Sequence, residues 1–339
     1  MTKSSLCEKL RAGTWIVPIE ETIMDEAICV MGFFHLHVLP RTSWTWNEFE
    51  TNTPPNSIAL DGMVLGGPRF DEIAHRVNFD HHDGVVREAT MSTAMQVMFA
   101  IKGGIMKLLH PIIHVYVNDT DQDTSLAVWL LVQHAQFDGT KEHPAINRLL
   151  ALTDRLDITG GAYPMNLRDE LLQRHTWVFE PYTRLRKSGA LAHATAVVMS
   201  NNLETVMQRL NRFMMGETET VTLDTRHTIL YENAHFKIVD EIGGNEARYD
   251  LFSKGMDAFV SIVARRPDGR TVYTIGRRSR YIPFPVPRLY QAMNAAEGFT
   301  TTEGWNGSDI IGGSPRASGS GLIWEQIRDI ILRELRYPV

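Results

Sequence analysis

The densest chemistry in this chain is Asn78-Phe79-Asp80-His81-His82-Asp83-Gly84, where carboxylates and imidazoles crowd one short segment. Such groups are costly to hold together without a cation. Asp and His together suit Mn²⁺, Zn²⁺, Fe²⁺ or Mg²⁺, and two such ions close together clamp a phosphate and acidify the attacking water. Adjacent histidines alone more often mark a surface turn than a metal site, so the partners decide. A second acidic run, His114-Val115-Tyr116-Val117-Asn118-Asp119-Thr120-Asp121-Gln122-Asp123-Thr124-Ser125, passes from an apolar strand into a helix whose N-cap is Asp123 or Thr124. If strand geometry persists through them, Asp119 and Asp121 point to one side and form a cradle. A third acidic site spans Asp154 and Asp157, which compete for one role, and a fourth is Asp61 at the end of Ile58-Ala59-Leu60. His35, His37 and His114 offer a further imidazole, although a histidine on an apolar strand is more often a satisfied core residue.

These residues need strands and helices to position them. The apolar runs 27–38 and 112–117 read as buried strands, and 92–101 and 125–133 read as helices after polar turns, an α/β alternation. From 166 to 215 the apolar residues Leu167, Leu171, Leu172, Leu203, Met207, Leu210, Phe213 and Met214 recur at helical spacing. Beyond Thr218 short strands return, at 221–223, 236–239, 258–263 and 272–275, separated by Gly, Asp and Pro turns. The Gly/Ser-rich stretch Gly312-Gly313-Ser314-Pro315-Arg316-Ala317-Ser318-Gly319-Ser320-Gly321 precedes a last helix over 322–335. Glycines there admit an anion close to backbone N–H groups and an adjacent arginine adds bidentate pairing; the stretch by itself reads equally as a flexible linker. The expected division is 1–165, a helical connector 166–215, and a smaller α/β domain 216–339.

Asp80-His81-His82 followed by Arg87-Glu88-Ala89-Thr90-Met91-Ser92-Thr93-Ala94 resembles the signature of DHH superfamily phosphoesterases, in which a Ser/Thr-Ala helix follows the triplet. Asp61 stands where that family keeps a bridging aspartate. Asp119-Thr120-Asp121 with Ser125 resembles a motif of family II pyrophosphatases and their nanoRNase and RecJ-type relatives, and Asp157-Ile158-Thr159-Gly160 resembles the family's last aspartate motif. Thr274-Ile275-Gly276-Arg277-Arg278-Ser279 and Gly312-Gly313-Ser314 resemble a DHHA1 domain, with Ser314 in place of its histidine. The resemblance implies a mainly parallel sheet in the N-terminal domain. It implies two divalent ions, Mn²⁺ foremost, on Asp61, His81, Asp119, Asp121 and Asp157. His82 then touches the phosphate and Asp80 orients a histidine, while Arg87, Arg278, Ser279, Gly312, Gly313, Ser314 and Arg316 bind substrate. The implied substrate is a short oligonucleotide, a cyclic dinucleotide or a 3′-phosphorylated adenosine nucleotide, hydrolysed by metal-activated water. The order of motifs departs from the family, because Asp119-Thr120-Asp121 follows the triplet. Either the strands are permuted, or His37-Val38-Leu39-Pro40-Arg41-Thr42-Ser43 is the first motif, with Arg41 and Ser43 where aspartates belong. The altered motifs keep open a non-catalytic nucleotide-binding protein with the same fold.

Composition bounds these readings. With 43% hydrophobic residues in 339, the chain can bury two cores. Two cysteines, Cys7 and Cys29, cannot make a disulfide framework, which points to a reducing cytoplasm. No apolar run is long enough for a membrane span, and the N-terminus is too polar for a signal peptide. A formal charge of −6 argues against broad binding to long nucleic acid, whereas a small phosphorylated nucleotide is compatible with local cations. A homodimer is left open.

Overall fold

The apolar run 27–38 cannot continue straight through Gly32, whose φ of +65° turns the chain, so it folds back as a hairpin of β1 (Ala27–Met31) and β2 (Phe34–Val38). This hairpin begins the first of two six-stranded mixed sheets in a computed structural model that describes residues 26–109, 111–299, 304–316 and 318–335. Cys7, the polar N-terminal segment and Ala317 lie outside the described residues. Nine α-helices accompany the sheets among the described residues.

The first sheet adds β3 (Ser57–Leu60), β4 (Arg69–Asp71), β5 (Arg76–Phe79) and β6 (Ile113–Val117), in the order β1-β2-β6-β3-β5-β4. Its four central strands are parallel and both edges are antiparallel, so the sheet is mixed. Ile58, Ala59 and Leu60 of β3 are all fully buried, as expected for a strand covered on both faces. The crossovers contain α1 (Trp46–Asn52), entered through a Thr45/Glu48 capping box, and α2 (Thr93–Gly103), capped by Ser92. After β6 comes α3 (Gln122–Val132). Three longer helices follow: α4 (Pro144–Ile158), α5 (Glu170–Lys187) and α6 (Ala196–Met214).

Contacts divide the chain into two units, residues 1–154 with 174–185 and 193–220, and residues 155–173 with 186–192 and 221–339. The helical spacing read over 166–215 is realised in α5 and α6. α6 belongs to the first unit: Leu203, Met207 and Leu210 are buried, and Asn211 accepts a hydrogen bond from Trp129 Nε1 on α3 (2.8 Å).

In the second unit β7 (Thr228–Glu232), β8 (Lys237–Asp240), β9 (Ala258–Arg265), β10 (Thr271–Arg277), β11 (Asn306–Gly307) and β12 (Ile311–Gly313) form a sheet of order β11-β12-β10-β9-β8-β7, with only β8 and β9 parallel. Helices α7 (Asn245–Ser253), α8 (Val286–Glu297) and α9 (Trp324–Leu335) complete it. Two expectations change here. Residues 221–223 are irregular, since pairing begins only at Thr228. Gly312 and Gly313 are strand rather than loop, because a Cβ would meet Asn306 O at 2.2 Å and Tyr273 O at 2.1 Å; the hairpin closes only on glycine. No helix among the described residues is long and apolar enough to cross a membrane.

One buried titratable group tests the packing of the helices in the first unit. His175 on α5 is 1% exposed and its Nε2 lies 3.2 Å from Thr153 Oγ1. Burial lowers its pKa from 6.5 to about 3, so the unfolded chain takes up this proton first and stability falls as pH drops from about 6.5 toward 3. Urea unfolding of the wild type should weaken by about 2 to 3 kcal/mol more than that of His175→Gln between about pH 6.5 and pH 4.5. Identical pH dependence in the two proteins would refute the assignment.

Candidate metal centre

Parallel strands β3, β5 and β6 end side by side, and each hands its next residues to the same rim. In open α/β sheets this carboxyl edge is where ligands bind. Asp61 follows β3, with its N–H still bonded to Phe79 O (2.9 Å) and its φ at +54°, a conformation a non-glycine residue adopts only when its surroundings enforce it. Those surroundings are identifiable. Asn118, just past β6, donates from Nδ2 to Gly62 O (2.9 Å), to Thr42 O (2.8 Å) and to Ser43 Oγ (3.1 Å), and Ser43 Oγ–H donates to Gly62 O (2.8 Å). Ser43, one of the two residues read as replacing an aspartate of a first motif, is thus a backbone clamp beside Asp61.

The Asp61 side chain is 3% exposed and its carboxylate receives two hydroxyls, Thr93 Oγ1–H on Oδ1 (3.0 Å) and Thr124 Oγ1–H on Oδ2 (2.9 Å). His81 Nε2 and His82 Nδ1 lie 3.6 and 3.5 Å from its Oδ1. Ligand atoms of Asp61, His81 and His82 all fall within 4.8 Å of one another. Burial disfavours the ionised form of Asp61, but His82, His81 and the Thr124 hydroxyl outweigh it and hold the carboxyl well below the usual range.

Asp80 sits beneath the pair of histidines, 1% exposed. Its Oδ1 accepts from the backbone N–H of His81 (2.7 Å) and of His82 (3.1 Å) and lies 2.8 Å from His82 Nδ1. Its Oδ2 is buried without a hydrogen-bond partner among the described residues. His81 is fully buried, whereas the His82 side chain is 40% exposed. Gln96 on α2 donates to Asp80 O (2.9 Å) and Met91 O (2.7 Å), fastening the triplet to the helix that follows it.

The second acidic run is arranged differently from its alternation pattern. β6 stops at Val117, so Asp119 and Asp121 do not continue a strand. Asp121 is the N-cap of α3, accepting from Thr124 N (2.9 Å), in place of the expected Asp123 or Thr124. Asp119 Oδ2 accepts from Tyr182 Oη–H (3.0 Å). Asp123, 1% exposed, accepts from Thr93 N (2.6 Å) and Ala94 N (3.1 Å), joining α3 to the amino end of α2. Asp154 accepts from Ser92 N (2.8 Å). Asp157, in the last turn of α4, belongs by its contacts to the second unit.

The three strand histidines engage one another: His37 Nε2 and His114 Nδ1 are 3.0 Å apart, His37 Nδ1 is 2.8 Å from Glu26, and His35 and His114 rings lie 5.2 Å apart. Burial, then His37 and His35, push His114 down to about 4. Among the expected substrate residues, Arg87 is buried in a one-turn 3₁₀ helix, Arg278 pairs with Asp257 (2.7 Å), and Ser279 Oγ accepts from Tyr281 N (3.3 Å). Ser314 is buried with its Oγ accepting from Tyr273 N (2.9 Å), and Arg316 is exposed. Thr93, Thr124, Gln96, Asn118 and Tyr182 also serve the site, in roles that the sequence did not assign to them. The available signal was the pair of helix-start threonines, each directly after a motif aspartate or serine. No protein-family model, no curated protein and no solved structure matches this chain.

Proposed function

We propose that this protein is a metal-dependent phosphoesterase of DHH type that hydrolyses a small nucleotide phosphodiester or phosphomonoester. The observation that supports this best is the convergence of Asp61, His81 and His82 at the carboxyl ends of parallel strands. The Asp61 carboxylate and the His81 imidazole, with His82 beside them, suit Mn²⁺ or a similar ion, and Asp80 Oδ2, buried without a partner among the described residues, fits an acidic site that expects positive charge. Asp61 and His81 would hold the ion, with Asp119 and Asp121 as the further ligands in the first unit that the motif resemblance adds for a second one. A bound divalent ion supplies charge neutralisation at the phosphoryl oxygens and acidifies water. Asp80 would accept from His82 Nδ1–H and orient the ring, so that an imidazolium would present Nε2–H as the donor to the substrate phosphate.

One observation favours the alternative of a non-catalytic nucleotide-binding protein. Ser314, at the position of the family's phosphate-binding histidine, is committed to Tyr273 N. Purified protein assayed with Mn²⁺ on a dinucleotide, a cyclic dinucleotide and a model phosphodiester distinguishes the two. Hydrolysis that vanishes in EDTA and returns on adding Mn²⁺ is expected. Nucleotide binding with no turnover under any divalent metal overturns the enzymatic reading.

A further inference from the structure

The first unit contains a cavity of about 270 Å³ lined by Trp46, Val64, Gly66, Gly67, Arg69 and Asn78 among others. At about 30 Å³ per water, that volume holds a phosphoryl group with part of an attached sugar. Its polar groups are unequally satisfied. Asn78 Nδ2 gathers the carbonyls of Val64 (3.4 Å), Gly66 (3.0 Å) and Gly67 (3.2 Å), so three of the loop's acceptors are engaged. The donors are not. Trp46 is 7% exposed and its Nε1–H is buried with no acceptor, and the N–H groups of Gly66 and Gly67 have none among the described residues. Arg69 has no carboxylate within ion-pair distance among the described residues; its guanidinium instead lies over the Trp46 ring, 4.4 Å from the centroid. A buried donor left unpaired, as Trp46 Nε1–H is, is expensive and calls for a partner, and the half-exposed glycine amides beside it are open to the same one. In a chain of formal charge −6, a cation and three donors around one cavity select an anion. Asn78 Oδ1, a buried side-chain acceptor without a partner among the described residues, suits an anion that retains a hydroxyl.

The cavity adjoins the candidate metal centre through the chain. Val64 follows Asp61 by three residues and Asn78 precedes Asp80 by two, which bounds the Cα separations at about 11 and 7 Å. Gly67 abuts the segment after the triplet, since a Cβ there would meet Val85 Cγ1 at 2.6 Å. We propose that this cavity is an anion subsite that receives a second phosphoryl group of the substrate, held by Arg69, Trp46 Nε1 and the Gly66 and Gly67 amides. The proposal rests on the phosphoesterase reading for the first phosphoryl group and names the substrate class as nucleotides bearing two.

Calorimetric titration of the full-length protein with inorganic phosphate in EDTA tests the subsite without any metal. Saturable binding at or below about 10 mM is expected, weakened at least tenfold in Arg69→Met and severalfold in Trp46→Phe, which keeps the ring and removes the donor. In hydrolysis, Arg69→Met should raise KM for a 5′-phosphorylated dinucleotide and leave KM unchanged for a model diester with one phosphoryl group. Absence of saturable phosphate binding, or equal binding by wild type and Arg69→Met, overturns the subsite even if the enzyme turns over. Loss of all turnover with phosphate binding intact and sensitive to Arg69 overturns the phosphoesterase reading and leaves the anion site standing.

Discussion

Asp61→Asn is expected to lower Mn²⁺-dependent phosphodiester hydrolysis about a thousandfold or more, because a lost anionic ligand removes several kcal/mol of charge stabilisation at the metal. The asparagine is chosen for its backbone. Asp61 has φ of +54°, which Asn tolerates better than Ala, and its side-chain oxygen can still accept from Thr93 or Thr124. The variant should therefore stay folded, with a melting temperature within a few degrees of wild type, while calorimetry shows much weaker Mn²⁺ binding. His81→Gln should behave alike. If Asp61→Asn retains wild-type turnover and Mn²⁺ affinity, the centre lies elsewhere.

The second large effect concerns stability and lies in the other unit. Arg248, 2% exposed, donates from Nε and Nη2 to both oxygens of Glu241 (2.8 Å each) and from Nη1 to Gly160 O (2.9 Å), and its guanidinium lies 4.7 Å from the Phe259 ring centroid. Ser261 Oγ–H supplies Glu241 with one further bond (2.5 Å). Removing the arginine strands a buried carboxylate, which typically costs about 3 to 5 kcal/mol, whereas an apolar replacement of both partners is far cheaper. Arg248→Met should therefore shift urea unfolding of the second unit by about that amount, and Arg248→Met with Glu241→Leu should recover most of it. A single variant as stable as wild type would mean that water or local rearrangement already serves Glu241. Gly160 closes the turn that carries Asp157, its N–H bonded to Asp157 O (2.9 Å), so the same substitution also loosens a motif residue.

Several elements were legible because their signals are local. Hydrophobic runs announce strands such as β6 whatever their partners, and Ser92 announces the start of α2 by its side-chain cap. Leu203, Met207 and Leu210 announce one face of α6. Other elements depend on neighbours distant in sequence. Gly312 and Gly313 read as a loop because glycine is permissive; they form a strand because Tyr290 and Tyr273 leave no room for a Cβ. Residues 221–223 have strand composition and no pairing partner, and strand preference is largely a preference for partners.

The candidate centre divides in the same way. The residue types of Asp61 and Asp80-His81-His82, and the metal chemistry they suit, are written in the chain itself, since ligand identity is a property of single side chains. Which of the many acids join them is not. Asp121 serves α3 as its cap, Asp123 serves the amides of α2, and Ser43 and Asn118 hold the backbone at Gly62. Carboxylates and amides bond to whatever donor or acceptor folding brings within 3 Å, and only the parallel pairing of β2 with β6, of β6 with β3 and of β3 with β5 brings the segments that follow these four strands to one edge.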